Sequence, residues 1–173
     1  MLLQKMNTLR LLSLSVVLLF ISCKEVNKDK PVTILPDTTF EKIKLADLKS
    51  NSFSLKKYAG KTIFLNFWAT WCKPCIAEMP TIEKAQNILN KEKVVFLIAS
   101  NEAIEEIDAF KKAHNFNLTY CQIQNSEELG LQVLPTTYIF NPDGSLVFSE
   151  SGYRKWDEKS NIDMILKIVN KNE

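Results

Sequence analysis

A chain of 173 residues accommodates one domain and a leader. Its composition, 46% hydrophobic and 24% charged, is ordinary for a globular protein. The formal net charge is +2, and both excess charges fall in residues 1–22, which carry Lys5 and Arg10 and no acid; the remainder has 20 basic against 20 acidic residues, which argues against nucleic acid or another strongly charged partner.

Met6–Arg10 reads as a basic head, and Leu11–Ile21 as a short apolar run broken only by Ser13 and Ser15. Such a run is too short to span a bilayer, which needs ~20 apolar residues, so residues 1–22 read as an export signal. Ser22 precedes Cys23, and the chain then turns polar. A small residue before a cysteine at this place resembles a bacterial lipobox, which implies that Cys23 is lipidated and begins the mature chain. Phe20 departs from the Leu usual in that motif, and a plain signal peptide or an uncleaved anchor is the alternative. Residues 23–36 are lysine-rich, contain Pro31 and Pro36, and have little to bury, so they read as a flexible tether. One domain is expected over 37–173.

Phe40 to Tyr58 shows short apolar/polar alternations that suit a small N-terminal hairpin. Thr62–Ala69 is an apolar run with strand character. A helix is expected from Lys73 to Leu89, with Ile76, Met79, Ile82, Ala85, Ile88 and Leu89 as its apolar stripe and Pro80 as a kink. A second buried strand follows at Lys93–Ser100, then a helix at Glu102–Ala113 with Ile104, Ile107 and Phe110 inward. Leu118–Ile123 reads as a short strand. Ser126–Leu131 reads as one or two helical turns capped by Ser126. Asn141-Pro142-Asp143-Gly144 joins strands at Thr136–Phe140 and Ser145–Ser149 into a hairpin. Asp157 to Asn170 carries Ile162, Ile165, Leu166 and Val169 at helical spacing. This order predicts an α/β fold, a mixed central sheet with helices on both faces and an N-terminal hairpin extension.

Cys72 and Cys75 stand at C-x-x-C spacing where the first long strand turns into the first long helix. A thiol at a helix N-terminus meets unpaired N–H groups and the positive end of the helix dipole, which favour the thiolate. A second thiol three residues on lies one turn away on the same face and can attack the first sulfur. Pro74 suits a first helical turn. The same spacing also occurs in zinc sites, but Cys23, Cys121 and His114 offer no second ligand pair. A structural disulfide is disfavoured because so short a loop yields little stabilisation. Glu78, three residues past Cys75, reads either as a proton acceptor for the pair or as a surface acid near a helix start. Pro135, after Leu134, reads either as an ordinary trans proline at a strand start or as a cis proline in a tight bend. Lys73 either steadies a thiolate or is simply solvated. Trp68 suits packing and Trp71 a rim. Asn66 reads as a hydrogen-bonded strand residue, Cys121 as a small buried hydrophobe, and His114 as a surface residue.

The run Phe67-Trp68-Ala69-Thr70-Trp71-Cys72-Lys73-Pro74-Cys75, continued by Glu78-Met79-Pro80, resembles the thioredoxin superfamily and within it the membrane-tethered TlpA/ResA-like thiol–disulfide oxidoreductases. The resemblance covers about residues 37–170. It implies a thioredoxin-like fold, Cys72 as attacking and Cys75 as resolving thiol, and Glu78 in proton transfer. It also implies a cis bond before Pro135, with Trp71, Lys73, Pro74, Leu134 and Pro135 contacting substrate. Thioredoxin itself has an aspartate where Asn66 stands, so a protein proton acceptor must lie elsewhere, and Glu78 is the nearest candidate in sequence.

The expected function is thus a protein-disulfide reductase of the cell envelope, lipid-anchored and facing the periplasm. The family mostly reduces disulfides, including those of apocytochrome c. Electrons pass through cysteines alone, so no cofactor or metal is required, but a membrane protein must recycle the pair in an oxidising compartment. A copper-delivery module and a peroxiredoxin-type peroxidase on the same fold are the alternatives. The first lacks a histidine ligand near Leu134–Phe140; the second does not need the second cysteine.

Overall fold

The computed structural model describes residues 38–89 and 94–170. The expected export signal at 1–22, the tether at 23–36 and Cys23 lie outside the described residues.

The described chain opens with a short helix α1 (Thr38–Lys42), then a hairpin of β1 (Leu45–Ala46) and β2 (Ser52–Phe53), then a 3-10 turn at Leu55–Tyr58. This is the expected N-terminal hairpin. β3 (Thr62–Phe67) leads into α2 (Lys73–Leu89), β4 (Val94–Ser100), α3 (Ile104–Ala113) and β5 (Tyr120–Ile123). β6 (Thr136–Phe140), β7 (Leu146–Ser151) and α4 (Lys159–Asn170) complete the chain.

The seven strands form one sheet in the order β2-β1-β5-β4-β3-β6-β7. β3, β4 and β5 run parallel, as strands joined by crossover helices do, while the strands outside them pair antiparallel. Every residue of β3 is buried, because the sheet is covered on both sides. Alternation along β3 splits the core in two. Ile63, Leu65 and Phe67 face one layer; Phe64 and Trp68 face the other. The layer under Phe64 and Trp68 receives α2, α3 and α4, which contribute Met79, Ile82, Ile107, Phe110, Ile162 and Ile165 among others. The opposite layer is closed by the 3-10 turn through Leu55, by Phe40 of α1 and by Leu129 and Leu131. Helices thus cover both faces, but the three long ones share one of them.

Several expectations need correction. Ile88 is exposed, because it sits about 100° around α2 from Leu89, off the face centred on Met79, Ile82 and Ala85. Glu102 precedes α3 and is not part of it. Residues 126–130 form hydrogen-bonded turns and no helix. Asn125, not Ser126, anchors that segment: it accepts from Lys44 N–H at 3.0 Å and donates to the Lys42 carbonyl at 2.8 Å. A local pattern could not show these bonds, since they span more than eighty residues. His114 is half-buried and stacks on Phe110 with ring centroids 3.9 Å apart. No helix of the described residues is long and apolar enough to cross a membrane.

Candidate active site

β3 ends at Phe67, and Trp68–Trp71 carry the chain to the start of α2. One backbone bond and a carboxylate fix this short connection. Trp68 N–H donates to the Ala99 carbonyl at 3.0 Å, which holds the chain against the end of β4. Glu102 accepts from Thr70 N–H at 2.7 Å, from the Thr70 hydroxyl at 2.6 Å and from the Ser100 hydroxyl at 2.8 Å. A carboxylate taking three donors is a firm clamp, since hydrogen bonds to an ionised acceptor are the strong ones.

Cys72 then occupies the N-cap of α2, because its carbonyl accepts the first helical bond from Ile76 N–H at 3.1 Å. Its sulfur takes the place of a capping oxygen: Cys75 N–H points at Cys72 Sγ over 3.3 Å. A negative sulfur in this place gains from both that N–H and the helix dipole. Cys72 and Cys75 are joined as a disulfide, with Cα atoms 5.3 Å apart. A thiol at a strand-to-helix turn is expected to be exposed, and Cys72 is not. It is only 4% exposed and Cys75 1%, because both sulfurs turn into the layer that holds Trp68 and Met79. Trp71, at 71% exposure, and the exposed Lys73 and Pro74 are their neighbours in the chain.

Glu78 is no surface acid: it is 1% exposed, one turn beyond Cys75 on the inner face of α2. Asn66 of β3 donates its amide to Glu78 Oε1 at 2.6 Å and to the Thr137 hydroxyl of β6 at 3.0 Å. Arg154 N–H donates to Glu78 Oε2 at 3.1 Å. Burial pushes the Glu78 carboxyl up to about 7, with the Arg154 and Asn66 donors pulling the other way. Asn66 is the hydrogen-bonded strand residue expected of it, though its Oδ1 has no hydrogen-bond partner among the described residues.

The Leu134–Pro135 peptide bond is cis, and Pro135 is buried at the start of β6. Leu134 and Trp71 share a groove of about 400 Å³ that runs from the end of β3 past Asn101 to Leu131 and Val133. Val133 is one of its exposed apolar residues. Cys121 is buried in β5, and burial pushes its thiol up to about 12. Among the described residues, no cluster of three or more His, Cys, Asp or Glu side chains is placed to hold a metal ion.

The sequence profile of the Redoxin family matches residues 30–166. The chain belongs to the Redoxin family. Within that family it is similar to the thiol-disulfide oxidoreductase ResA of Geobacillus kaustophilus, with 38% identity over 109 residues, covering 59% of this chain and 61% of that protein. ResA of Bacillus anthracis is 32% identical over 128 residues, covering 71% of this chain and 68% of that one. The chain spans about three fifths of the length of the first of these curated relatives. A solved thiol:disulfide interchange protein from Bacteroides sp. shares the fold at a TM-score of 0.63 and 24% identity, covering 74% of this chain and 86% of that one.

Three features of this Redoxin-family site were not visible in the sequence. Glu102 lies 32 residues from Thr70, Thr137 lies 71 from Asn66, and Arg154 reaches Glu78 across 76. Arg154 also acts through its peptide N–H, which carries no residue signature at all.

Proposed function

We propose that this chain is an extracytoplasmic thiol–disulfide oxidoreductase that reduces protein disulfides at Cys72 and Cys75. The observation that carries the reading is the disulfide at the N-cap of α2 with Cys75 N–H aimed at Cys72 Sγ, above a buried carboxylate. The ResA relatives agree with it.

In the reduced protein, the Cys72 thiolate attacks one sulfur of a substrate disulfide. A Cys72–substrate disulfide forms, and the other substrate sulfur leaves as a thiolate. Glu78 takes the proton of the Cys75 thiol, and the Cys75 thiolate attacks Cys72 Sγ. The Cys72–Cys75 disulfide forms, and the second substrate thiol is released with a proton returned to it. The substrate gains two electrons, and the cysteine pair loses two. A carboxyl titrating near neutrality suits Glu78 for accepting and returning that proton. Trp71 and Leu134 line the groove, Lys73 and Pro74 stand between the two cysteines in the chain, and Pro135 follows Leu134; these five are the proposed contacts of an extended substrate strand. Cysteine pairs of apocytochrome c are the proposed substrate. Lipid on Cys23 would hold the domain at the envelope membrane, facing the periplasm, and a membrane thiol carrier would return the electrons.

The test uses single variants with insulin or a disulfide peptide. Cys72→Ser should abolish reduction, and Cys75→Ser should accumulate a mixed disulfide with substrate. Retention of full activity by both variants sinks the reading.

A further inference from the structure

The connection between β7 and α4 supplies three peptide N–H groups to the surroundings of the cysteine pair. Gly152 N–H donates to the Pro135 carbonyl at 2.7 Å. Arg154 N–H donates to Glu78 Oε2 at 3.1 Å. Trp156 N–H donates at 3.1 Å to the Thr81 hydroxyl, which itself donates to the Glu78 carbonyl at 2.7 Å. One short strap therefore touches the cis-proline segment, the buried carboxylate and, through Thr81, the helix α2 that carries that carboxylate.

None of these bonds uses a strap side chain, so each depends on where the backbone is held. Arg154 holds it from both ends. Its guanidinium donates to Asn161 Oδ1 of α4 at 2.6 Å and pairs with Glu150 of β7. It also lies over the rings of Phe148 and Trp156, at 5.3 and 5.5 Å. A planar fork can satisfy two acceptors and two ring faces together; an ammonium cannot. Gly152, at φ +107°, lets the chain leave β7 and turn across the site.

We propose that Arg154 is a positioning residue of the exchange site: its guanidinium clamps residues 152–156 so that a single backbone segment supports both the Glu78 carboxylate and the carbonyl of Pro135. The functional meaning rests on the exchange reading; the geometry does not. A substrate strand laid along Pro135 and the proton acceptor beneath it then share one support, and displacement of either is felt by the other.

The clamp has a measurable sign. The groups that favour the charged carboxylate are neutral donors, Asn66 from β3 and, from the strap, the Arg154 peptide and the Trp156 indole. Titratable groups on the surrounding elements are the Cys72–Cys75 pair on α2, silent while oxidised, the Arg154–Glu150 pair on the strap and β7, and Asp157, which is paired with Lys84 at 3.5 Å. An N–H donor favours the charged carboxylate, so loosening the strap should make Glu78 harder to ionise.

The experiment follows the Glu78 carboxyl carbon by NMR against pH in the oxidised full chain, with the resonance assigned by its loss in Glu78→Gln. Wild type should titrate near 7. Arg154→Ala should raise the midpoint by at least half a pH unit, about a threefold change in proton affinity. Arg154→Lys, which keeps charge but not the fork, should fall between them, and it also serves if the alanine variant does not fold. Superimposable titrations of Glu78 in wild type and the folded variants would overturn the clamp. The readout needs no turnover, so an inactive wild type would count against the exchange reading while the clamp is still decided.

Discussion

Replacing Glu78 by Gln tests the buried carboxyl through stability. In the folded chain, burial lifts this group from 4.5 to about 7. Unfolding returns it to its ordinary value. Between those two pH values the folded protein keeps a proton that the unfolded chain has released. The stability it contributes is fully present below about pH 4.5 and is lost as pH rises through about 7. A gap of roughly 2.5 units, at about 1.36 kcal/mol each, amounts to about 3 kcal/mol. Gln cannot ionise, so the variant should lack this slope. Its amide also leaves one of the Asn66 and Arg154 donors facing an NH2 group, which costs about 1–3 kcal/mol at every pH. The variant should be less stable than wild type at pH 5 and draw level or pass it by pH 8.5. Urea unfolding of the oxidised proteins across that range measures the difference. Parallel profiles with a constant offset would show that Glu78 does not titrate where its burial puts it.

Cys121, with its thiol pushed up to about 12, should resist alkylation at pH 8, where only about one thiol in ten thousand would be ionised. Cys121→Ser should keep full exchange activity, and its loss would bring this residue into the mechanism. Cys23→Ser should release exported protein from the membrane; recovery of the variant in the membrane pellet, as in wild type, would point to a spanning anchor.

Much of the fold was legible because its signals are local. β3, α2 and β4 are long apolar or periodic segments, and α2 was expected at the bounds it occupies. The cysteine pair was legible for the same reason: spacing and a strand-to-helix turn are properties of one short stretch. The role of residues 126–130 was not, since Asn125 is committed to Lys42 and Lys44, far away in sequence. Glu102 misled for a related reason. A glutamate before an apolar-periodic run reads as the start of a helix, yet this one is drawn back to Thr70 by two donors on the loop before Cys72. The burial of Glu78 was likewise hidden. Its neighbours on α2 are apolar or small on one side and polar on the other, and contacts distant in sequence, from Asn66 of β3 and from the strap across the site, make it an interior residue.

Cys72 lies almost wholly below the surface at the start of α2, although its chain neighbour Trp71 is exposed. Exchange needs an incoming sulfur to approach along the axis of the bond it breaks. A small thiol diffusing past finds little exposed sulfur, while on the proposed exchange reading a partner that grips the apolar groove beside Trp71 would bring its own cysteine to it. On that proposed reading, choice of electron donor is then made by kinetics, through the rate of productive encounter, and a docking partner would exchange electrons with the pair while stray thiols stay out of equilibrium with it.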